Sequence, residues 1–167
     1  MSRLLLTSDL HLGHKNILKF RSGFSTQEEH DETLFNNLAK SINKRDSIIF
    51  LGDVAFSIDW LKRIESIKCA KKTLILGNHD LERGIAMGHL MMAYDQIESL
   101  YSKRNVYFSH CPIHAGQFRG RKLNVHGHLH GDVVEIESDN IIYADSRYVN
   151  VCVEHHNYKP VEFCSVI

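Results

Sequence analysis

A chain of 167 residues with 20 basic and 20 acidic side chains is long enough to bury roughly two-thirds of its unfolded surface in one domain, taken here as residues 1–167. The balanced charge excludes a strong overall positive field able to hold long nucleic acid nonspecifically. No apolar run approaches the roughly 18 residues of a membrane span, and three consecutive leucines near the start are too few for a signal peptide, so the expectation is a soluble, cytoplasmic protein. The four cysteines lack CxxC spacing and read as small buried apolar residues in a reducing compartment. The surplus is histidine, at 12, which hints at metal or proton chemistry without locating it.

The first predicted element is a strand over residues 3–8, apolar enough to be buried on both faces, which stops at Asp9-Leu10-His11-Leu12-Gly13-His14. On an extended chain residues i and i+2 point the same way, so Asp9 and His11 are expected to reach one ion. A helix is predicted over 26–43, where Thr26 and Glu29 have capping-box spacing and Leu34, Leu38 and Ile42 recur every four residues. Its acidic residues Glu28, Glu29, Asp31 and Glu32 read as dipole partners on a solvated face. A second strand at 47–51 ends in Gly52-Asp53, and Ile58, Leu61, Ile64 and Ile67 mark a short helix with Trp60 as a packing residue. A third apolar run, Thr73–Leu76, ends in Gly77-Asn78-His79-Asp80.

Residues 81–94 read as an irregular helix or a lid, with His89 a packing or surface histidine. Strands follow at 97–101 and 105–109 around a turn at 102–104, and the second ends in His110-Cys111-Pro112. Between Gly127 and its flanks, His126, His128 and His130 stand at alternate positions, a clustering rare outside metal sites. Short strands at 133–136, 140–144, 148–153 and 161–166 complete the chain.

Successive strand ends thus deliver Asp9, His11, Asp53, Asn78, His110, His128 and His130, with His79 beside them. The C-terminal edge of an open α/β sheet is where ligands bind. Three oxygen donors and four imidazoles exceed the needs of one tetrahedral zinc. They suit two divalent transition ions with one shared carboxylate. Mn, Fe, Zn and Ni all accept such donors, with Mn favoured.

The ordered set Asp9-x-His11, Gly52-Asp53, Gly77-Asn78-His79-Asp80, His110 and Gly127-His128-x-His130 resembles the calcineurin-like metallophosphoesterase superfamily, and within it the small phosphodiesterases of bacterial and phage type. The resemblance spans residues 9–130. It implies an α/β four-layer sandwich, α/β/β/α, of two mixed sheets flanked by helices. It also implies Asp9, His11, Asp53 and His130 at the first metal, Asp53, Asn78, His110 and His128 at the second, and Asp53 bridging. The implied reaction is hydrolysis of a phosphodiester or phosphomonoester in a small phosphorylated or nucleotide substrate, by attack of a metal-bridging hydroxide. His79 is then the candidate proton donor to the leaving oxygen, and Asp80 the group expected to orient it.

Val54-Ala55-Phe56-Ser57 lacks the arginine that protein Ser/Thr phosphatases carry after the aspartate, and Asp80 stands where they have glutamate, so a protein phosphatase is disfavoured. Substrate phosphate contacts are assigned to His14, Lys15, Arg119 and Arg121, the last two in a glycine-containing segment expected to form a mobile loop over the site. Solvated surface charge is the alternative for these four. Two other functions compete: a non-catalytic scaffold of the same fold, against which the complete ligand set argues, and a nuclease, which would need a basic groove. The sequence leaves the oligomeric state open.

Overall fold

In a computed structural model describing residues 2–167, the elements follow the apolar runs. They are β1 (Leu4–Thr7), a 3-10 turn at Ile17–Lys19, α1 (Gln27–Ser41), β2 (Ser47–Phe50), α2 (Ile58–Ser66), β3 (Lys71–Ile75) and α3 (Met87–Ala93). Then come β4 (Gln96–Glu98), β5 (Leu100–Lys103), β6 (Val106–Ser109), β7 (Leu123–His126), β8 (Glu135–Ser138), β9 (Ile141–Ala144), β10 (Tyr148–Asn150) and β11 (Val161–Glu162). Helix α1 starts where Thr26 Oγ1 accepts the Glu29 N–H at 3.1 Å, and α2 where Ser57 Oγ accepts that of Trp60 at 3.3 Å. Each side chain satisfies one of the donors that a helix start leaves unpaired.

Strands β1 to β4 are parallel and carry β11 antiparallel on the β1 edge, in the order β11-β1-β2-β3-β4. A second sheet runs β10-β7-β6-β5, parallel except for β5, and β8 and β9 form a separate two-stranded ribbon. Side-chain alternation along the strands builds both cores. Leu5, Ile48, Phe50 and Leu74 pack with Leu34 and Leu38 of α1, Leu61 and Ile64 of α2, and Leu90 and Ala93 of α3. Their neighbours Leu6, Ile49 and Ile75 point the other way, onto Val106, Phe108, Val125, Val151 and Phe163 between the sheets. The result is two mixed sheets face to face, flanked by helices. On the far face of the second sheet the covering layer is a 3-10 turn at Ala115–Gln117 and the loop around Phe118, whose ring sits 5.4 Å from that of Tyr148.

Several boundaries differ from expectation for identifiable reasons. The run 97–101 is not one strand: the chain crosses from the first sheet to the second at Ser99 and gives each sheet one edge strand. The turn falls at Arg104-Asn105, both with positive φ (51° and 62°). Asp31 is not on a solvated face; it is 2% exposed, lies 2.7 Å from His30 Nδ1 and accepts the Gly13 N–H at 2.9 Å. Of the cysteines only Cys152 is buried, Cys111 and Cys164 are exposed, and all four are free thiols. No helix among the described residues is long and apolar enough to cross a membrane.

Candidate dimetal site

Because β1, β2 and β3 are parallel and paired in step, their last residues reach one edge together. The segments beyond them are not extended. Asp9, His11, Asp53, His128 and His130 all adopt left-handed conformations, with φ of 57°, 51°, 51°, 70° and 50°. A non-glycine residue there costs on the order of 1–3 kcal/mol and persists only where its surroundings enforce it. Here cross-links between the loops enforce it. The Asp9 N–H donates to Gly52 O and the His11 N–H to Asp53 O, each at 3.0 Å. The His128 N–H donates to Asp9 Oδ2 at 2.8 Å, and the His79 N–H to Asp53 Oδ1 at 2.9 Å. Asp9 and His11 therefore converge through left-handed turns, not through strand alternation, and the same holds for His128 and His130.

Two glycines let these loops touch. A Cβ on Gly77 would lie 2.6 Å from the backbone nitrogen of Asp53, and one on Gly127 would lie 2.5 Å from Asp9 Oδ2. Gly77 has no positive φ, so its role is close approach and not a sharp turn.

Asp9, His11 and His130 place donor atoms within 4.8 Å of one another, as do Asp9, Asp53 and His110. The two groups share Asp9. His11 Nε2 is 3.5 Å from Asp9 Oδ1 and 3.9 Å from Asp53 Oδ2, and His130 Nε2 is 3.9 Å from Asp9 Oδ1. Around His110 Nε2 stand Asp53 Oδ2 at 3.4 Å, Asn78 Oδ1 at 2.9 Å and His128 Nδ1 at 3.2 Å. All seven sequence-derived ligands are thus brought together. Donors held about 2.0–2.2 Å from a common ion sit roughly 3–4 Å apart, which is the spacing seen.

The donor set also passes a test for metal ions independent of spacing. Asp9 Oδ1 and His11 Nε2 are buried without a hydrogen-bond partner, an expensive condition for polar atoms in a protein interior that a cation would relieve. His110 Nδ1 faces Leu51 O at 2.7 Å and His130 Nδ1 faces Glu154 Oε1 at 2.9 Å. Each ring is held by its remote nitrogen with Nε2 directed at the cluster, the usual support for a metal-binding histidine.

The electrostatics agree. Burial alone would raise the Asp9 carboxyl, but His11, His110, Ser8 and the His128 amide hold it well below the usual carboxylate range. Burial likewise opposes ionisation of Asp53, and His110 reverses the sign. Burial disfavours a charged His110 ring, yet Asp53 and Asp9 push it up to about 9. Two buried carboxylates call for positive charge at this point.

A supporting set of residues escaped the sequence reading. Arg21, 3% exposed, donates to the backbone carbonyls of Asp9 and Leu10, to Glu154 Oε1 at 2.8 Å from Nε, and lies 3.0 Å from His30 Nε2. Arg21 and Glu154 are 133 residues apart in the chain and share no local pattern, so only packing reveals them. Ser8 Oγ lies 2.5 Å from Asp9 Oδ2, and the Cys152 thiol donates to that oxygen at 3.1 Å. Burial and the Asp9 charge push the Cys152 thiol well above its ordinary value, which keeps it protonated as a donor. Oδ2 is thereby saturated by protein groups while Oδ1 is left free. The exposed Cys111 stands within reach of His110 and His128.

Asp80 does not orient His79. Its two oxygens accept the backbone N–H groups of Asp53 (3.1 Å), Val54 (3.0 Å) and Gly77 (2.8 Å), tying the second strand end to the third. The carboxylate beside the His79 ring belongs to Glu82, 3.0 Å from Nδ1. Arg119 and Arg121 are also placed elsewhere. The Arg121 guanidinium lies 4.5 Å from the Tyr107 ring centre and donates to Ser102 at 3.0 Å, and both arginines line a cavity with Lys103 and Arg104 at the β5–β6 turn. That turn is at the opposite end of β6 from His110, about 13 Å along the strand. Bonds from Ile113 to Asn124 (2.8 Å) and from Tyr148 to Ile113 (2.7 Å) pin the intervening loop to the outer sheet face, not over the cluster. His14 lines a cavity with His11, His79 and His130, and Lys15 next to it is exposed.

The calcineurin-like phosphoesterase family model matches residues 2–161. The chain is 29% identical over 170 residues to the Gene 66 protein of Mycobacterium phage L5, covering 80% of each chain. It superposes on a protein of unknown function from Aquifex aeolicus with a TM-score of 0.72 at 20% identity, covering 99% of this chain and 98% of the other. The Pseudomonas putida nuclease MPE aligns with a TM-score of 0.51 at 22% identity, over 77% of this chain and 62% of that one. With the family model spanning nearly its whole length and the ordered motifs at strand ends of both sheets, the chain belongs to the calcineurin-like phosphoesterase family.

Proposed function

We propose that the protein is a dimetal-dependent phosphoesterase that hydrolyses a phosphodiester or phosphomonoester bond in a small phosphorylated or nucleotide substrate. The observation that carries this reading is the pair of overlapping donor groups around Asp9, with Asp9 Oδ1 and His11 Nε2 buried and unpartnered. Asp9, His11, His130 and Asp53 would hold one divalent ion, and Asp53, Asn78, His110 and His128 the other. Ions bound there supply Lewis acidity and charge compensation to a phosphoryl group. The left-handed loops fix these donors before substrate arrives, so little reorganisation accompanies the reaction. His79, its side chain 38% exposed with Nδ1 3.0 Å from Glu82 Oε2, is the group assigned to give its Nε2 proton to the departing oxygen. A water oxygen bonds to phosphorus as the ester P–O bond breaks, the alcohol leaves with that proton, and the proton shed by the water passes to solvent, from which His79 is reprotonated.

The test is hydrolysis of an activated phosphodiester by the manganese-loaded protein. Asn78→Ala and His128→Ala should each remove most of the activity; activity that survives both changes in metal-stripped buffer sinks the proposal. A second reading, a nucleic-acid substrate, is favoured by the basic cluster of Lys103, Arg104, Arg119 and Arg121 around one cavity. Digestion of DNA that falls steeply with added salt would support it.

A further inference from the structure

A cavity of about 510 Å³ opens directly beside one donor group, with His11 and His130 as its floor and His79 on its wall. The remaining lining is Ile17, Phe20, Phe56 and His14, so the surfaces away from the floor are apolar or aromatic. Phe56 is 6% exposed and forms the rigid side. Its ring stacks on His11 at 5.1 Å and meets His14 and His79 at 4.8 and 5.5 Å. The Arg83 guanidinium lies 5.4 Å from the same ring centre.

Phe20 is the unusual member. At 76% it is the most exposed of the large hydrophobic side chains among the described residues, yet its position is not that of a loose loop tip. Its N–H donates to Ile17 O at 2.9 Å, the N–H of the next residue donates to the same oxygen at 3.0 Å, and that next residue is the buried Arg21. An exposed aromatic ring on a fixed stretch of backbone and a buried ring, both lining one cavity next to the candidate metal ligands, have the composition of a site for a flat group.

We propose that this cavity is the subsite for the ester group on the His79 side of the phosphorus, that it takes a planar aromatic moiety, and that Phe20 sets this preference. The inference rests on the phosphoesterase reading for the identity of the floor, and adds the substrate class: phosphoesters of a nucleoside or an aryl alcohol in preference to those of short aliphatic alcohols. A volume of about 510 Å³ accommodates one nucleoside and is within the range of small-molecule sites, roughly 300–1,000 Å³.

Calorimetric binding to the manganese-loaded protein tests it, each ligand carrying a methylene in place of its bridging ester oxygen so that no turnover occurs. Adenosine 5′-monophosphate, phenyl phosphate and ethyl phosphate present the same phosphoryl group on different substituents. The two aromatic ligands should bind at least about tenfold more tightly than ethyl phosphate. Phe20→Ala should abolish that difference while leaving ethyl phosphate affinity unchanged, and Phe20→Trp should keep it. A larger gain for the nucleotide than for phenyl phosphate assigns the subsite to nucleosides, and equal gains assign it to aryl groups in general. Aromatic ligands no tighter than ethyl phosphate, or a Phe20→Ala change that weakens all three equally, would overturn the proposal. Because Phe20 is exposed, its replacement should leave the melting temperature near that of the parent. The two readings fail separately: loss of the aromatic preference with hydrolysis intact removes only the subsite, and the preference persisting in a protein that cleaves no ester removes only the catalytic reading.

Discussion

Glu154 Oε1 lies 2.9 Å from His130 Nδ1 and accepts a bond from Arg21 at 2.8 Å. One carboxylate oxygen thus fixes a candidate metal ligand and is itself fixed by an arginine that grips the backbone of Asp9. The Glu154 hydrogen bond raises the His130 imidazole; burial opposes ionisation of Glu154, but His130 and Arg21 bring its carboxyl below the ordinary value.

Replacing Glu154 with Gln keeps an oxygen for Arg21 but removes the charge that holds the His130 ring. Metal affinity measured by calorimetry should fall about 10–100-fold, as is usual for a group behind a ligating histidine. Glu154→Asp should recover part of it. Affinity unchanged in Glu154→Gln would show that His130 needs no such support.

His79 is next to Asn78 yet outside the donor groups, so His79→Ala should leave metal content near that of the parent by elemental analysis. Turnover should drop by about 10²–10⁴-fold for esters with poor leaving groups and much less for activated ones. Equal losses across leaving groups would refute the proton-donor role.

Asp80 is 2% exposed and accepts three backbone amides. Burial raises its carboxyl above the ordinary value despite those bonds. Asp80→Ala leaves the amides of Asp53, Val54 and Gly77 unpaired, and should cost about 3 kcal/mol in chemical denaturation. Metal binding should weaken with it, because the Asp53 loop loses its anchor. A variant as stable as the parent would mean that other groups hold this loop.

Gly77→Ala puts a methyl group against the backbone nitrogen of Asp53 at 2.6 Å. Since Asp53 is a candidate ligand, the expected result is a folded protein with metal affinity lowered by an order of magnitude or more, read by metal titration alongside circular dichroism. Retained affinity would show that the two loops can separate without disturbing the donors.

Far from the cluster, Asp46 accepts Arg3 Nη2 at 2.6 Å and the backbone N–H groups of Arg3 and Asn43 at 3.0 Å. Arg3 holds the Asp46 carboxyl well below the usual range. A carboxylate whose folded value is depressed stabilises above its unfolded value, near 3.9, and loses that contribution as pH falls toward the folded value. The melting-temperature gap between parent and Asp46→Asn should therefore be a steady few degrees above about pH 4 and shrink below it. A gap that widens on acidification would reverse the sign of the pair.

The sequence by itself determined the inventory. Three apolar runs each ended in a residue able to ligate a metal, alternation along Leu5-Leu6 and Ile48-Ile49 fed two cores, and the ordered motifs named seven side chains that the fold brings close together. These were legible because strand period and ligand type are local properties of the chain. What only the tertiary structure decided was how the donors meet and what holds them. Asp9 and His11 share a site through left-handed turns enforced by Gly52 and Asp53, not through the two-residue repeat of a strand. Asp80 serves the backbone while Glu82 faces His79, and Arg119 and Arg121 pack on the far end of the second sheet. Arg21, Glu154 and Cys152 join the site across more than 100 residues of chain. A backbone conformation imposed by a neighbouring loop, and a bond between residues distant in sequence, leave no periodic trace for a sequence to show.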